Sequence, residues 1–472
     1  MAIFPCRGDH ILIIPYPAQG HMLPLLDLTH QLCSLLNQTT TITILTTPKN
    51  LPTHTPLLRL HPSIQTLTLP FPPHPSIPAG VENAKDLPPG TPPSSMIHAL
   101  GGLYQPLLSW FHSHPSPPSA ILSDFFLGWT HRLADQVGTR RIVFSPSGAL
   151  AISILYSLWR DMPVPSDDLS AELSFDNIPK SPKYPWWQIS SIYRCYSHSG
   201  SDPVSEFIKD GFKANLESWG LVINTFDDVE GVYLDYLRKK LLGHDRVWAV
   251  GPLILGRAES SGPGLDDDVA RFLDASDADS VVYVAFGSQT TLKNDQMAAL
   301  AAGLEKSRVR FIWSVKVPAD GHVDDGYGAV PEEFETRTAG RGIVVRGWAP
   351  QAAILSHRAV GAFLTHCGWN SVLESIAAGV PMLTWPMGAD QFVDAGLVVD
   401  ELKVGVRVCE GRTSVPDSDE LSRVLSESVS GESASGLRQR ASKLKEKARE
   451  AVKDGGSSAR GLKDIVKRVF EN

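Results

Sequence analysis

The 472-residue chain has few cysteines, no long apolar run and no concentration of basic charge. Its five cysteines are odd in number and scattered without CxxC spacing, which favours reduced thiols over a disulfide framework. No stretch approaches the roughly 18 consecutive apolar residues of a membrane span, and no signal-peptide pattern opens the chain. The 43 basic and 51 acidic residues give a net charge of −8. We therefore expect a cytoplasmic protein with no integral membrane contact and no nucleic-acid partner.

Several widespread catalytic motifs are also missing. No GxGxxG follows the first predicted strand, and neither GxxxxGK[ST] nor GxSxG occurs. These absences disfavour dinucleotide dehydrogenases, P-loop nucleotidases and serine hydrolases. The pairs His112/His114 and His366/Cys367 lack further ligands at zinc spacing, so we expect no metal site.

What the chain does have is enough length for two domains, with 42% apolar and 20% charged residues, as in ordinary globular proteins. Short apolar runs alternate with helical patterns through both halves, which is typical of parallel βαβ units. The strands predicted in this way are 10–14, 41–46, 120–123, 141–144, 220–224, 280–286, 361–364 and 380–384. The predicted fold class is α/β, with two doubly wound Rossmann-like domains facing each other across a cleft.

The domain boundaries follow from a polar, glycine-containing segment near the middle of the chain. Residues 246–268 are the predicted linker between an N-terminal domain, 1–245, and a C-terminal domain, 269–455. The last segment, 456–472, is predicted to form a helix that packs back on the N-terminal domain.

His21 and Asp124 are candidates for acid–base chemistry. His21 begins a helix predicted over about His21–Leu36, and a helix N-terminus disfavours imidazolium. Asp124 ends a predicted strand, and the carboxyl ends of parallel strands can be neighbours. Asp124 would then accept the Nδ1 proton of His21 and orient the ring as a base. The alternative is that His21 caps the helix and Asp124 is a turn residue.

The segment Trp348–Gln391 combines a strand, a glycine turn and a helix start. Its turn, residues 365–370, precedes a helix predicted to open at Ser371, where backbone N–H groups and the helix dipole favour an anion. A second glycine turn, Gly287-Ser288, follows the first strand of the second half and allows close approach of a phosphate. Together with polar groups suited to sugar hydroxyls, these turns indicate a nucleotide-sugar site.

Most of these residues also have an ordinary structural interpretation. Ser371 and Glu374 have the spacing of a helix capping box. The rings of Trp348 and Trp369 could stack on a ligand or pack in the core. Both interpretations stay open at this point.

The same segment resembles the 44-residue signature box of plant family-1 UDP-dependent glycosyltransferases, with matches at WAPQ, HCGWNS, LES, AGVP and ADQ. The resemblance extends over nearly the whole chain, through PYPAQGHMLPLLDL, SDFFLGW, NTFDDVE and VAFGSQ. It implies a GT-B fold and an inverting hexosyltransferase with a UDP-sugar co-substrate, no cofactor and no metal requirement. The N-terminal domain would bind the aglycone and the C-terminal domain the UDP-sugar. We expect a monomer.

Residue by residue, the resemblance implies that His21 is the catalytic base and Asp124 its acidic partner. The residues implied for UDP are Ser288, Trp348, Ala349, Gln351, His366, Gly368, Asn370, Ser371 and Glu374. Those implied for the sugar are Trp369, Asp390 and Gln391. The predicted acceptor pocket comprises Tyr16, Gly20, Phe125, Ser147, Trp187 and Phe392.

Glutamine at the end of the signature box, here Gln391, usually accompanies UDP-glucose in this family, and its amide can both accept and donate hydrogen bonds. Residues 385–411 resemble a subgroup that glycosylates flavonols and small phenolic acids, some members of which use rhamnose or pentoses. The predicted function is transfer of glucose from UDP-glucose to a phenolic hydroxyl, with UDP-rhamnose or a UDP-pentose as the alternative donor. A non-catalytic nucleotide-sugar sensor and a nucleotide-sugar epimerase are the rival hypotheses.

Overall fold

The computed structural model describes residues 9–37, 39–88, 90–199, 202–256, 264–316 and 326–470. The chain divides into two compact units. Unit 1 comprises Met1–Arg257 together with Ala451–Asn472, and unit 2 comprises Ala258–Glu450.

In chain order, the strands of the described chain are β1 (His10–Ile14), β2 (Thr41–Thr46), β3 (Gln65–Thr68), β4 (Ala120–Asp124), β5 (Arg140–Ser145), β6 (Glu172–Ser174), β7 (Lys183–Pro185), β8 (Gly220–Ile223), β9 (Val247–Ala249), β10 (Val281–Ala285), β11 (Arg310–Val315), β12 (Gly342–Arg346), β13 (Val360–Thr365), β14 (Met382–Thr384) and β15 (Gly405–Arg407). The central strands are buried apolar runs, whereas β3, β6, β7 and β12 are partly or largely exposed.

Helices connect most of these strands. In unit 1 and at the start of unit 2 they are α1 (Gln19–Leu35), α2 (Leu51–Leu60), α3 (Pro93–Leu100), α4 (Tyr104–Ser113), α5 (Trp129–Val137), α6 (Ala149–Asp161), α7 (Ser191–Ser199), α8 (Pro203–Glu217), α9 (Asp227–Tyr236) and α10 (Asp267–Asp274). The later helices are α11 (Asn294–Ser307), α12 (Phe334–Arg337), α13 (Gln351–Ser356), α14 (Trp369–Ala378), α15 (Gln391–Gly396), α16 (Ser418–Val429), α17 (Gly431–Val452) and α18 (Ser457–Phe470).

Unit 1 is built on a parallel sheet in the strand order β3-β2-β1-β4-β5-β8-β9. β1 pairs with both β2 and β4, so the chain order reverses at β1. β1 (HILII) and β8 (GLVI) are buried throughout, as expected for parallel strands that helices cover on both faces. β6 and β7 form a separate antiparallel ribbon.

Unit 2 repeats this topology in the order β12-β11-β10-β13-β14-β15, again with every pairing parallel. β10 pairs with β11 and β13, and the core on the sheet contains the buried rings of Phe311, Trp313 and Trp385. The predicted α/β class with two Rossmann-like sheets is confirmed. In both sheets the reversal of strand order creates the position at which doubly wound proteins bind ligands.

The predicted linker differs from the structure at its start. Val247–Ala249 forms β9 and pairs with β8, because this apolar VWA sequence is buried at the edge of the first sheet. Residues 257–263 of the predicted linker lie outside the described residues. Unit 2 ends at Glu450, whereas the predicted C-terminal domain ends at 455.

The C-terminal helix α18 packs on unit 1. Leu462 and Ile465 belong to the hydrophobic core that covers the first sheet. The indole Nε1 of Trp248, in β9, donates to Oδ2 of Asp464 at 2.7 Å. The apolar face of the amphipathic helix therefore covers the sheet of unit 1 beside its edge strand β9.

Candidate active site

The first group of predicted site residues lies at the carboxyl ends of β1 and β4, which are adjacent strands of unit 1. Asp124 is the last residue of β4 and is fully buried, whereas the side chain of His21 is 17% exposed. Nδ1 of His21 lies 2.9 Å from Oδ2 of Asp124. His21 is the third residue of α1, whose N-cap is Ala18, so it does not cap the helix as the alternative interpretation required.

The second carboxylate oxygen of Asp124 fixes its orientation. Oδ1 accepts the backbone N–H of Phe126 at 2.9 Å, so Asp124 also has the turn role that the sequence left open. An ionised carboxylate only accepts hydrogen bonds, so Nδ1 of His21 carries the proton of the neutral ring and Nε2 carries the lone pair. Nε2 is therefore the atom that can take a proton from a substrate hydroxyl.

Aromatic rings surround the imidazole of His21. Phe126 and Phe125 stack against it with centroid distances of 4.9 and 5.6 Å, and Tyr16 lies at 5.1 Å. Tyr16 and Phe125 are two of the predicted pocket residues, and the ring of Phe126 lies closest to the imidazole. Tyr16 is buried, and this burial raises the pKa of its hydroxyl, which therefore stays protonated at neutral pH.

The other predicted pocket residues are spread over several elements. Gly20 is in the first turn of α1, and Ser147 precedes α6. Trp187 lies in the helical turn Trp186–Gln188. Phe392 lies in α15 and belongs to unit 2, so neither unit by itself contains all six predicted pocket residues.

A buried arginine, which the sequence reasoning missed, supports the Asp124 turn. Arg141 donates from Nη1 to Oδ1 of Asn215 at 2.7 Å and from Nε to Oγ of Ser123 at 3.0 Å. Its Nη2 donates to the backbone oxygen of Asp124 at 3.4 Å, while Nδ2 of Asn215 donates to the oxygen of Phe125 at 2.8 Å. Burial lowers the pKa of Arg141 to about 10, which still leaves it charged at neutral pH. The available signal was Arg141 at the start of the otherwise apolar predicted strand 141–144.

Glu230 was missed as well. Its fully buried carboxylate accepts the backbone N–H of Ala149 at 2.7 Å and of Leu150 at 2.8 Å. It therefore caps the N-terminus of α6 from a distant part of the chain, immediately after the predicted pocket residue Ser147. A Cβ on Gly148 would lie 2.7 Å from this carboxylate, so the close approach requires glycine.

The second group of site residues lies at the carboxyl ends of β10 and β13, in unit 2. The imidazole of His366 is enclosed by two glycines: a Cβ on Gly287 would lie 2.6 Å from its Nε2, and a Cβ on Gly368 would lie 2.7 Å from it. Burial lowers the pKa of His366 to about 4, so the ring is neutral at physiological pH. Its Nδ1 has no hydrogen-bond partner among the described residues. We call Gly287, His366 and Gly368 together the seat of unit 2. The seat combines a neutral imidazole with glycine backbone that a phosphate can approach closely.

Helix α14 opens beside this seat, but not where the sequence predicted. It begins at Trp369, with Gly368 as the N-cap and no side-chain cap, so the prediction that it opens at Ser371 was wrong. Ser371 and Glu374 therefore do not form a capping box. The first amide bonded within the helix is that of Val372, to the Gly368 oxygen at 3.1 Å. The first turn of α14, which includes Asn370, lies at the positive end of the helix dipole.

Gln351 ties α13 to α14. Its Nε2 donates to Oγ of Ser371 at 2.9 Å and to Oε2 of Glu374 at 2.6 Å. Its backbone N–H donates to the oxygen of Ala349 at 2.8 Å. Four predicted UDP residues are thus linked across α13 and α14, and the indole of Trp348, the residue before Ala349, is 57% exposed. Such an exposed ring can stack on a base.

The predicted sugar residues Gln391, Trp369 and Asp390 lie at or near helix starts of unit 2. Oε1 of Gln391 accepts the backbone N–H groups of Met387 at 2.9 Å and Gly388 at 3.1 Å. Its carbonyl therefore holds the turn, and its NH₂ group is the part of the amide that can donate to a sugar hydroxyl. Trp369 is only 3% exposed, so its ring packs in the core of unit 2, as the alternative interpretation had it. Asp390 is the N-cap position of α15.

Neither a metal-ligand cluster nor a candidate membrane span occurs among the described residues. No group of three or more His, Cys, Asp or Glu side chains in them is arranged to hold a metal ion. In the same part of the chain, no helix combines the length and the apolar character that crossing a membrane requires.

The chain aligns with known proteins over almost its full length. UDP-glycosyltransferase 89B2 of Stevia rebaudiana is 56% identical, covering 97% of this chain and 97% of that protein. Flavonol 3-O-glucosyltransferase UGT89B1 of Arabidopsis thaliana is 54% identical, covering 98% of this chain and 96% of its own. This chain belongs to the plant family-1 UDP-glycosyltransferases. A family model described as UDP-glucoronosyl and UDP-glucosyl transferase matches residues 258–428.

Solved structures of this glycosyltransferase family agree with the architecture. The crystal structure of Arabidopsis thaliana UGT89C1 complexed with UDP-L-rhamnose superimposes with a TM-score of 0.79 at 40% identity, covering 99% of this chain and 100% of that one. The same protein complexed with quercetin gives a TM-score of 0.77 at 39% identity, covering 98% and 100%. The fold of the chain is accordingly GT-B, and the enzyme class is UDP-glycosyltransferase.

Proposed function

We propose that this glycosyltransferase transfers glucose from UDP-glucose, with inversion at the anomeric carbon, to a hydroxyl of a small phenolic acceptor of flavonoid or hydroxybenzoate type. The observation that carries the proposal is the 2.9 Å hydrogen bond between Nδ1 of His21 and the fully buried carboxylate of Asp124. It leaves Nε2 as the basic atom at a strand end lined by aromatic rings. A planar phenol suits such a surface.

In the proposed reaction, Nε2 of His21 removes the proton of the acceptor hydroxyl as its oxygen bonds to the anomeric carbon. The bond between that carbon and the β-phosphate oxygen breaks, and its electron pair leaves with UDP. Attack from the face opposite UDP converts the α-linked donor into a β-linked product. Asp124 stabilises the imidazolium that forms, and it stays ionised throughout.

We assign UDP to the seat in unit 2. The uracil would stack on Trp348, and Glu374 would bind the ribose hydroxyls, with Gln351 holding its carboxylate in place. The diphosphate would lie at the start of α14 beside Ser288 and the neutral ring of His366. Preorganised amides at a helix N-terminus stabilise the charge that develops on the leaving phosphate.

The donor sugar has two candidates with separate support. Glucose is favoured by the 54% identity to a protein named flavonol 3-O-glucosyltransferase. Rhamnose is the second candidate, because a structural relative at 40% identity is complexed with UDP-L-rhamnose. The NH₂ group of Gln391 can donate to a hydroxyl of either sugar.

The proposal is tested by incubating the purified protein with UDP-glucose, UDP-rhamnose or a UDP-pentose against flavonols, hydroxybenzoates and terpenoid alcohols. Mass spectrometry of the products is expected to show a single hexose added to a phenol. If product forms faster from UDP-rhamnose than from UDP-glucose, rhamnose is the donor sugar instead of glucose. A nucleotide-sugar sensor would release no UDP with any phenol, and an epimerase would convert the donor without a phenol; either result would refute the proposal.

A further inference from the structure

A positive charge is buried close to the dyad in unit 1. Arg141, in β5, is 1% exposed. Its guanidinium donates to an amide oxygen, to two hydroxyl oxygens and to the backbone oxygen of Asp124. A charge removed from water is tolerated only when hydrogen bonds compensate it, so the position of this arginine is tied to the positions of its acceptors.

The amide acceptor is Asn215, which lies in α8 and is 3% exposed. Its Oδ1 accepts from Nη1 of Arg141 at 2.7 Å, and its Nδ2 donates to the backbone oxygen of Phe125 at 2.8 Å. A guanidinium cannot accept a hydrogen bond and a carbonyl cannot donate one, so only this orientation of the amide satisfies both neighbours. Arg141 therefore fixes which way the side chain of Asn215 faces.

The peptide that Asn215 contacts also holds the catalytic carboxylate. The carbonyl of Phe125 and the N–H of Phe126 belong to one planar peptide group, which we call the turn peptide. Its N–H donates to Oδ1 of Asp124 at 2.9 Å, and Oδ2 of Asp124 lies 2.9 Å from Nδ1 of His21. A continuous series of hydrogen bonds thus leads from the amide of Asn215, through the turn peptide and the carboxylate, to the imidazole.

Close packing of α8 brings Asn215 to the turn peptide. A Cβ on Gly128 would lie 1.9 Å from the backbone oxygen of Gly211, so glycine at position 128 allows α8 to approach the start of α5. Phe212 is three residues before Asn215 on the same helix face, and its ring centroid lies 6.1 Å from that of Phe126. One face of α8 therefore contacts both the backbone and a ring of the turn.

We propose that Asn215 is a positioning residue for the base: its amide, oriented by Arg141, holds the turn peptide in the direction that keeps Asp124 at Nδ1 of His21. Asn215 acts through the carboxylate and touches no substrate atom. Without the amide, the carbonyl of the turn peptide is buried without this donor, and the peptide can rotate so that its N–H leaves Oδ1 of Asp124. This inference rests on the base role of His21 in the proposed function.

Two alanine variants give a matched comparison. Asn215→Ala and Ser218→Ala each remove one acceptor of Nη1 of Arg141, because Oγ of Ser218 accepts from this atom at 2.8 Å. The Ser218 hydroxyl donates to the oxygen of Ala214, whereas the Asn215 amide donates to the turn peptide. With UDP-glucose and quercetin, we expect Asn215→Ala to lower kcat about tenfold, since misplaced catalytic groups are costly, and to leave the KM of UDP-glucose unchanged. Ser218→Ala should keep near-native kcat.

Asn215→Asp is a second, isosteric variant. It keeps an acceptor for Arg141 and replaces only the Nδ2 donor, because an ionised carboxylate has no proton to donate. We expect the same loss of kcat as in Asn215→Ala. Urea denaturation of each variant shows whether the protein is folded under the assay conditions.

A spectroscopic readout follows the position of Asp124 without turnover. In protein labelled with ¹⁵N-histidine, the Nδ1 proton of His21 that is bonded to the carboxylate should give a downfield proton signal, identified by its disappearance in His21→Ala. We expect this signal to move upfield or to be lost in Asn215→Ala and to be unchanged in Ser218→Ala. In the Asp124→Asn background, Asn215→Ala should lower kcat no further, because the amide acts through that carboxylate.

Three results would overturn the inference: native kcat with an unchanged Nδ1 signal in a folded Asn215 variant, equal losses of kcat in Asn215→Ala and Ser218→Ala, or additive losses with Asp124→Asn. Failure of the proposed function is distinguishable from these results. In that case His21→Ala would keep near-native turnover, although the Nδ1 signal of the native chain would still respond to Asn215→Ala.

Discussion

Each unit places a histidine beside the reversal of its strand order, and the two histidines have different surroundings. In unit 1 the strand order reverses between β1 and β4; His21 comes after β1, and Asp124 is the last residue of β4. In unit 2 it reverses between β10 and β13, and Gly287 and His366 follow them. His21 bonds to a buried carboxylate, whereas His366 is enclosed by glycine backbone and its pKa is lowered to about 4.

This difference indicates that the group beside each imidazole, more than its place in the sheet, sets which protonation state of the ring is favoured. A carboxylate at Nδ1 stabilises the protonated ring and makes Nε2 suitable as a base. A desolvated ring without a charged partner stays neutral, so it can lie beside an anion without competing for protons. We therefore assign proton transfer to unit 1 and leaving-group binding to unit 2, and the predictions below test this division.

Removal of the imidazole in unit 1 should have the largest effect. His21→Ala should lower turnover of weakly acidic phenols about 10²–10⁴-fold, because a general base contributes that much. UDP affinity, measured by calorimetry, should stay near the native value, since UDP is assigned to unit 2. Near-native turnover by a folded His21→Ala protein would refute the role of the base.

Asp124→Asn should have the next largest effect. The amide matches the carboxylate in size, but it carries no charge and its NH₂ group can favour the wrong ring tautomer, so turnover should fall roughly 10- to 100-fold. The double variant His21→Ala/Asp124→Asn should be no slower than His21→Ala alone, because the two residues act as a unit. Additive losses in this kinetic cycle would show that Asp124 acts independently of His21.

Adding a methyl group to the seat in unit 2 should weaken UDP binding without changing the hydrogen bond between His21 and Asp124. In Gly287→Ala the new Cβ would lie 2.6 Å from Nε2 of His366, at a residue with φ of +74°. We expect UDP affinity to fall about tenfold, which corresponds to about 1.4 kcal/mol. Gly340→Ala is the matched control, because Gly340 has φ of +75° but nothing within 4 Å of a Cβ. Equal UDP affinities in the two variants would argue against the seat.

The smallest effect concerns pH and His54, a buried histidine of α2 in unit 1 whose pKa, like that of His366, is lowered by burial. Its folded pKa of about 4 is below the ordinary histidine pKa of 6.5, so the unfolded chain binds more protons between these pH values. Its contribution to stability is complete above about pH 6.5 and is lost as the pH falls toward 4. From pH 7.5 to 5.5 it should lower the free energy of unfolding by about 1 kcal/mol.

Urea denaturation at the two pH values measures this loss. His54→Gln has no titrating ring, so its stability should fall by about 1 kcal/mol less than that of the native chain over the same interval. An identical pH dependence in both proteins would mean that His54 is not held neutral by burial.

Much of the fold was predictable, because parallel strands covered on both faces are continuous apolar runs. β1, for example, was predicted over the residues that it occupies. The end of unit 1 was not predictable in the same way, since Val247–Ala249 is too short to distinguish from a linker until it pairs with β8. The start of α14 was predicted two residues late, because glycine at the N-cap leaves no side-chain signal.

The sequence by itself determined the residue types, the alternating strand and helix pattern, and the motifs that place this chain among UDP-glycosyltransferases. Only the tertiary structure decided which partner each polar side chain has. Asp124 meets His21 across 103 positions of sequence, Arg141 meets Asn215 across 74, and Gln391 gives its carbonyl to its own turn. Hydrogen bonding depends on distance and direction in space, and sheet pairing sets both, so local sequence patterns cannot specify them.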